Sequence, residues 1–142
     1  MDNENIVFVR FIDGVNVSIP IQSKYISENT YELLPNIEFD FNDKTILFEF
    51  GPNDIVETKP SKSFSGLIAS KLIKAGNNNN SFKRLLFYIL NDDLTFAEAK
   101  NIFNKSDLEK LSNFIESDGF VYPPIKDFFE INKTNLIEFI NQ

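Results

Sequence analysis

The residues best placed to do chemistry in this 142-residue chain are carboxylates and lysines, and the most suggestive set surrounds Glu57 and Lys59. Residues two apart on a strand point to the same side, so these two side chains would share a face. Asp54 precedes them, and Asp40 or Asp43 on a neighbouring strand could add a second carboxylate. Two carboxylates can hold Mg²⁺ while a lysine supports an attacking water, which is the chemistry of metal-dependent hydrolysis.

This layout is similar to that of the PD-(D/E)xK nucleases, a resemblance that implies metal binding by Asp40 and Glu57 and a supporting role for Lys59. That family places its core on a mixed sheet with flanking helices, whereas the strands here have a tight antiparallel pattern. The alternative is an exposed strand face with cross-strand charge pairing, and we favour it. A second carboxylate set, Glu38, Asp40 and Glu49, could serve glycosidic chemistry, but acids are abundant and the same alternative applies.

The chain contains no histidine and no cysteine. This composition excludes Ser-His-Asp and Cys-His catalysis, ordinary zinc sites and disulfides. The five glycines are scattered, so the chain has no glycine-rich phosphate-binding loop. We therefore expect no catalytic residues, no cofactor and no metal.

Charge is distributed in blocks along the chain, and one block is basic. Residues 1–60 carry four basic and eleven acidic side chains, a net charge of −7. Residues 61–91 carry five basic side chains and no acid, a net charge of +5. Residues 92–142 carry five basic and ten acidic side chains, a net charge of −5. A basic band therefore lies between two acidic blocks.

Four residues of this band form the candidate binding set: Lys71, Lys74, Lys83 and Arg84. Lys71 and Lys74 are three apart, so they share a face of the helix that we predict for this segment. Arg84 can hold a carboxylate or phosphate bidentately, which a lysine cannot do. The set would attract an acidic partner. The alternatives are an ordinary solvated surface, which we favour, and a seam against the acidic N-terminal half.

The N-terminal half has the period of two that is typical of strands with one buried face. Asp13-Gly14 between two such runs predicts a hairpin, and Pro20 predicts an edge strand or a bulge. The predicted strands are 6–12, 15–21, 30–34, 37–41, 45–50 and 54–59. So many short strands in under sixty residues predict a small antiparallel β-barrel or rolled sheet. The segment 51–57, Gly-Pro-Asn-Asp-Ile-Val-Glu, resembles a turn of many SH3-like barrels.

From Pro60 onward the hydrophobic period is that of helices. Two capping boxes, at Thr95 and Ser106, mark helix starts. The predicted helices are 63–75, 81 onward, 96–103, 107–117 and 135–141, with a hairpin pairing 120–122 and 128–131. We therefore predict an α+β fold with a barrel-like region over 1–60 and a helical region over 61–142.

The helix order, a glycine at 119 and the predicted hairpin resemble a winged helix-turn-helix over residues 81–133. In that family the second helix of the motif reads the DNA major groove from its N-terminal residues. Those positions here include Asp107 and Glu109, which would repel phosphates, and only Lys110 and Asn113 suit bases. We therefore expect this region to contact protein rather than DNA.

These observations favour a non-enzymatic, cytoplasmic protein-binding or regulatory module whose partner is another protein of unknown identity. No apolar run approaches the ~20 residues of a membrane span, and the first residues lack the features of a signal peptide. Three alternatives stay open: an immunity or antitoxin protein whose acidic surface masks a basic toxin, a DNA-binding regulator, and a nuclease-like hydrolase using Asp40, Glu57 and Lys59.

Overall fold

The computed structural model describes residues 5–12, 16–35, 46–62, 65–78, 80–92, 94–116 and 123–141. The chain divides into two compact units, Met1–Asn80 and Ser81–Gln142. The first unit is built of strands and the second of helices, so the α+β class is confirmed.

Five strands of the first unit close into a barrel, and a sixth short strand pairs at its side. The ring order is β1, β2, β3, β5, β6 and back to β1, while β4 pairs with β1 alone. The strands are β1 (Asn5–Ile12), β2 (Asn16–Ser27), β3 (Thr30–Leu33), β4 (Leu47–Phe48), β5 (Ile55–Pro60) and β6 (Leu67–Lys74).

The number of strands in the ring determines how the barrel closes. Each strand runs antiparallel to the one before it, so in a ring of five the first and last strands must point the same way. The pairs β1–β2, β2–β3, β3–β5 and β5–β6 are antiparallel, and the closing pair β1–β6 is parallel. Closure removes the exposed edges that an open sheet would present.

Alternating side chains of these strands fill the barrel. On β1, Val7, Val9 and Phe11 are buried, whereas Phe8 and Arg10 between them lie on the outer side and are only partly covered. The same core holds Ile19, Ile21, Leu33, Phe48, Phe50, Val56 and Ala69. Burying each large side chain stabilises the fold by about 1.5–3 kcal/mol.

Most of the strands predicted in the N-terminal half are confirmed. The predicted strands 6–12, 15–21, 30–34 and 54–59 correspond to β1, β2, β3 and β5, and 45–50 is reduced to β4. Pro20 lies where β2 pairs with β1, before the pairing with β3 begins at Ser23, which agrees with its predicted edge character. The Asp13-Gly14 turn and the predicted strand 37–41 lie outside the described residues.

The helix predicted over 63–75 is wrong, because this segment forms β6. Leu67, Ile68, Leu72 and Ile73 follow a spacing that both a helix and a bulged strand can produce. Pairing decides between them: β6 bonds to β5 on one side and to β1 on the other, and only a strand can close the barrel. Tertiary pairing therefore overrides the local pattern. The β-region consequently extends beyond the boundary predicted at residue 60.

The second unit contains α1 (Asn80–Asn91), α2 (Phe96–Ile102), α3 (Lys105–Glu116) and α4 (Pro123–Ile140). The first three correspond to predicted helices, and the capping box at Thr95 is complete. The second capping box is wrong: α3 begins earlier, and Asn104 Oδ1 accepts a hydrogen bond of 2.9 Å from the backbone N–H of Asp107. Asn104 is as good a helix cap as serine, so the box pattern at Ser106 was misleading.

The hairpin strand predicted at 128–131 is also wrong, because these residues belong to α4. The predicted helix 135–141 is confirmed over 135–140, where it is the last part of α4. Proline fits the first turn of a helix, where the backbone N–H groups have no intrahelical partner. Pro123 and Pro124 therefore begin a helix here instead of forming a turn. The partner segment 120–122 lies outside the described residues. None of the helices in the described ranges is long and apolar enough to cross a membrane.

Candidate functional site: a basic hairpin on the barrel

The four residues of the candidate binding set do not form one surface within either unit. Lys71 and Lys74 lie exposed on β6 in the first unit, on a strand instead of a shared helix face. Lys83 and Arg84 lie on α1 in the second unit. Arg84 is buried, with 9% of its surface exposed, and its guanidinium carbon lies 6.0 Å from the ring centroid of Phe103. This cation–π geometry gives Arg84 a packing role.

Strand pairing assembles a different basic surface around Lys71 and Lys74. The β5–β6 hairpin, residues 55–74, carries four lysines against the single acid Glu57, a net charge of +3. All four lysine side chains are exposed: Lys59, Lys62, Lys71 and Lys74. We call residues 55–74 the basic hairpin. It overlaps the basic band of the sequence, residues 61–91, and lies entirely within the first unit.

The basic hairpin also exposes an apolar side chain. Ile73 lies between Lys71 and Lys74 on β6 with half of its surface exposed. Within the part of the chain that the structure describes, neither of these two lysines forms an ion pair. Binding surfaces on proteins combine an apolar centre with a polar rim. The end of the hairpin therefore offers both an anchoring contact and exposed positive charge, part of which Glu57 opposite Lys71 offsets.

Of the residues considered for metal-dependent hydrolysis, those that the structure describes do not converge. Glu57 lies exposed on β5 opposite Lys71 in the strand register, the cross-strand arrangement of opposite charges that we favoured. Asp54 is buried and turned inward, and Asp40 and Asp43 lie outside the described residues. Across the described segments, no group of three or more acidic side chains is placed to hold a metal ion.

Asp54 is instead the centre of a hydrogen-bond cluster that joins two loops of the first unit. Its Oδ2 accepts from the backbone N–H of Gly51 at 2.8 Å. Its Oδ1 accepts from the backbone N–H of Gly76 at 2.7 Å and from Asn78 Nδ2 at 3.1 Å. Gly51 precedes β5 and Gly76 follows β6, so this carboxylate fixes both ends of the basic hairpin in place.

Of the acids considered for glycosidic chemistry, only Glu49 lies in the described segments, and it is committed to an ion pair. Arg10 Nε donates to Glu49 Oε1 at 2.9 Å, and Arg10 Nη2 donates to Glu49 Oε2 at 3.0 Å. The Glu49 side chain is 4% exposed and that of Arg10 is 32% exposed. This bidentate geometry is the strong form of a carboxylate–guanidinium contact.

An open cleft of about 240 Å³ lies beside this ion pair on the outside of the barrel. Its walls come from β1, β5 and β6 and from the residue that follows β4. The lining residues are Arg10, Glu49, Lys59, Ile68, Ala69 and Ser70. No sequence signal marked this cleft, because the residues are brought together only by the β5–β6 and β1–β6 pairings.

In the second unit, α3 carries the positions that a helix-turn-helix would present to DNA. Glu109, Lys110 and Asn113 are exposed there. Asp107 is buried, and its Oδ2 accepts a hydrogen bond of 2.8 Å from Ser81 Oγ. The two acids predicted to oppose phosphates thus differ: Asp107 is a structural acceptor, and Glu109 alone faces solvent.

Comparison of the chain with protein-family models, with curated proteins and with solved structures finds no significant match.

Proposed function

We propose that this chain is a non-enzymatic protein-binding or regulatory module of the cytoplasm, and that its basic hairpin binds an acidic protein partner. The observation that carries the proposal is the cluster of exposed lysines on one hairpin of a chain with a net charge of −7. Because the rest of the chain is acidic, this is the surface of the described residues to which a negatively charged partner would be drawn.

A protein partner suits this surface better than a nucleic acid. Phosphate backbones bind through many simultaneous cation contacts, and the strong negative charge of the whole chain opposes such binding. An acidic protein needs few ion pairs if an apolar contact supplies part of the affinity, and Ile73 offers that contact. The winged-helix-like helices add no DNA site to the proposal, because the acidic α3 surface at Glu109 would repel phosphates.

The test is a charge reversal at the end of the hairpin, Lys71→Glu with Lys74→Glu. Both side chains are exposed, so we expect the melting temperature to fall only slightly, through the like-charge pair that Lys71→Glu creates with Glu57 across the strands. Partners captured by the unaltered protein should bind the variant more weakly, mainly through slower association, and the difference should shrink as salt is raised.

The matched control is Lys24→Glu with Lys110→Glu, which makes the same change of net charge at exposed positions outside the hairpin. If the control weakens binding as much as the hairpin variant, net charge rather than the hairpin governs association, and the proposal fails. The proposal also fails if the captured species is a nucleic acid, or if no protein binds in a hairpin-dependent way.

A separate measurement tests the non-enzymatic part of the proposal. A resident metal would stabilise the native state, so its removal or addition would shift the melting temperature. We expect EDTA to leave the melting temperature unchanged and Mg²⁺ or Mn²⁺ to give no saturable increase. Saturable stabilisation by Mn²⁺ that Glu57→Ala abolishes would place the nuclease-like interpretation ahead of ours.

A further inference from the structure

We infer that the cleft beside Arg10 and Glu49 is a subsite for one carboxylate side chain, an aspartate or glutamate, of the acidic partner. The inference rests on the proposed function and specifies which group of that partner the barrel holds. It is carried by the charges that line the cleft, by its size and by its position next to the basic hairpin.

The charge of the cleft selects an anion. Glu49 and Arg10 neutralise one another through their bidentate pair, which leaves the ammonium group of Lys59 as the net charge of the described lining residues. Within the described segments, the ammonium group of Lys59 takes part in no ion pair or side-chain hydrogen bond. A carboxylate beside Lys59 would form a charge-assisted hydrogen bond, which is among the stronger polar contacts.

The ion pair also makes the cleft a fixed feature. The Glu49 carboxylate is buried and grips the Arg10 guanidinium at two points, so this wall of the cleft is held in one geometry. A preformed wall lowers the ordering cost of binding. Arg10→Met would remove both hydrogen bonds to the buried Glu49 carboxylate and disturb this wall, so Arg10 is not the residue to vary.

The size and floor of the cleft favour a side chain over a free metabolite. Pockets for small molecules usually measure about 300–1,000 Å³, and this cleft is smaller. Ile68, which is half-buried, supplies apolar surface that would contact the methylene groups of a glutamate or aspartate. Ser70 Oγ donates its proton to the backbone carbonyl of Glu57 at 3.1 Å, so its oxygen can accept an N–H from the ligand's main chain.

The experiment follows backbone amide resonances of the full-length protein during titration with N-acetyl-glutamate amide, a side-chain carboxylate without a chain terminus. We expect saturable shifts at Lys59 and Ser70 with a dissociation constant of about 1–10 mM. N-acetyl-glutamine amide, the neutral isostere, should give no saturable shift. Lys59→Gln should weaken binding of the glutamate probe about tenfold or more, whereas Lys24→Gln should not.

The inference is overturned if the glutamate probe does not saturate, if the glutamine probe binds equally well, or if Lys59→Gln binds as tightly as the unaltered protein. A partner could also supply a carboxylate from its chain terminus, which N-acetyl-glycine represents. If N-acetyl-glycine binds more tightly than the glutamate probe, the side-chain assignment is overturned. Failure here is distinct from failure of the proposed function, because loss of partner binding in Lys71→Glu with Lys74→Glu would still support the hairpin.

Discussion

The Asp54 cluster provides the sharpest test of how the first unit is held together. The perturbation is Asp54→Asn, which keeps the shape of the side chain and replaces one acceptor oxygen by an amino group. Oδ2 accepts from Gly51, while Oδ1 accepts from Gly76 and Asn78. Whichever way the amide turns, its NH₂ group must face at least one N–H donor that the carboxylate now satisfies.

The expected loss follows from these contacts. An unsatisfied buried donor costs about 1–3 kcal/mol, and a hydrogen bond to a charged acceptor contributes about 1.5–3 kcal/mol against about 1 kcal/mol for a neutral one. The contact to Gly51 is buried, so the full ranges apply to it. The contacts to Gly76 and Asn78 are partly buried, so the lower half of these ranges applies to those two. We expect Asp54→Asn to destabilise the protein by about 2–4 kcal/mol.

The assay is urea unfolding followed by circular dichroism. With a slope of about 2 kcal/mol per M, this loss lowers the midpoint by about 1–2 M while the slope stays constant. The control is Asp127→Asn at an exposed position of α4, which should change stability by less than about 0.5 kcal/mol. If Asp54→Asn costs no more than this control, the hydrogen bonds seen at Asp54 do not stabilise the hairpin and our reasoning is wrong.

Three further predictions concern the fold. Gly76→Ala should destabilise the first unit by about 1–3 kcal/mol in the same urea assay, because a new Cβ would overlap the backbone carbonyl of Asn53. Thr95→Ala should cost about 0.5–2 kcal/mol through loss of the α2 cap. The same substitution should raise the pKa of Glu98, which carbon NMR can measure. Hydrogen bonds from the backbone N–H of Thr95 and then from its hydroxyl hold this pKa below 4.5. The capping contribution is therefore present above pH 4.5 and is lost as the pH falls through the lowered pKa. A fragment truncated just before β6 should show no cooperative β-sheet unfolding, because the barrel cannot close without that strand, and a sharp transition in this fragment would contradict the topology.

The strands that could be predicted are those whose local pattern and tertiary role agree. On β1 the alternation of Val7, Val9 and Phe11 with outward residues reflects one buried face, so period two is both the local signal and the final structure. The Thr95 box was recognisable for the same reason, since its hydrogen bonds join residues three apart and need no distant partner.

The elements that were misassigned are those whose secondary structure depends on strand pairing or on the residues that flank the segment. The leucine and isoleucine spacing of β6 suits a helix. Its pairing with the preceding strand β5 and with β1, about sixty residues earlier, makes it a strand. In α4 the run Phe128-Phe129-Glu130-Ile131 has the composition of a strand, yet it lies inside an eighteen-residue helix that starts at two prolines. Composition alone is a poor guide to whether such a segment forms a helix or a strand, because burial against neighbouring elements outweighs the intrinsic preference of the residues for either structure.

The candidate site shows the same division. Lys71 and Lys74 were identified from charge alone and are exposed, although on a strand. Lys59 and Lys62 were missed as members of the site because only the β5–β6 pairing puts them on the same hairpin as Lys71. Arg84 was included because sequence cannot distinguish a solvated guanidinium from one packed on an aromatic ring.

Under the proposed function, the pairing of β5 with β6 would explain how an acidic chain attracts an acidic partner. Charges more than about 8–10 Å apart are largely screened at physiological salt. A partner at the hairpin therefore senses mainly the local net charge of +3, whereas its approach elsewhere meets the acidic remainder of the chain. Repulsion outside the hairpin and attraction at it act together to fix the orientation of binding, which is the way in which electrostatic complementarity confers specificity. Association that becomes faster on raising salt above the physiological level would contradict this account. The distant repulsion is already largely screened there, so added salt should weaken mainly the local attraction.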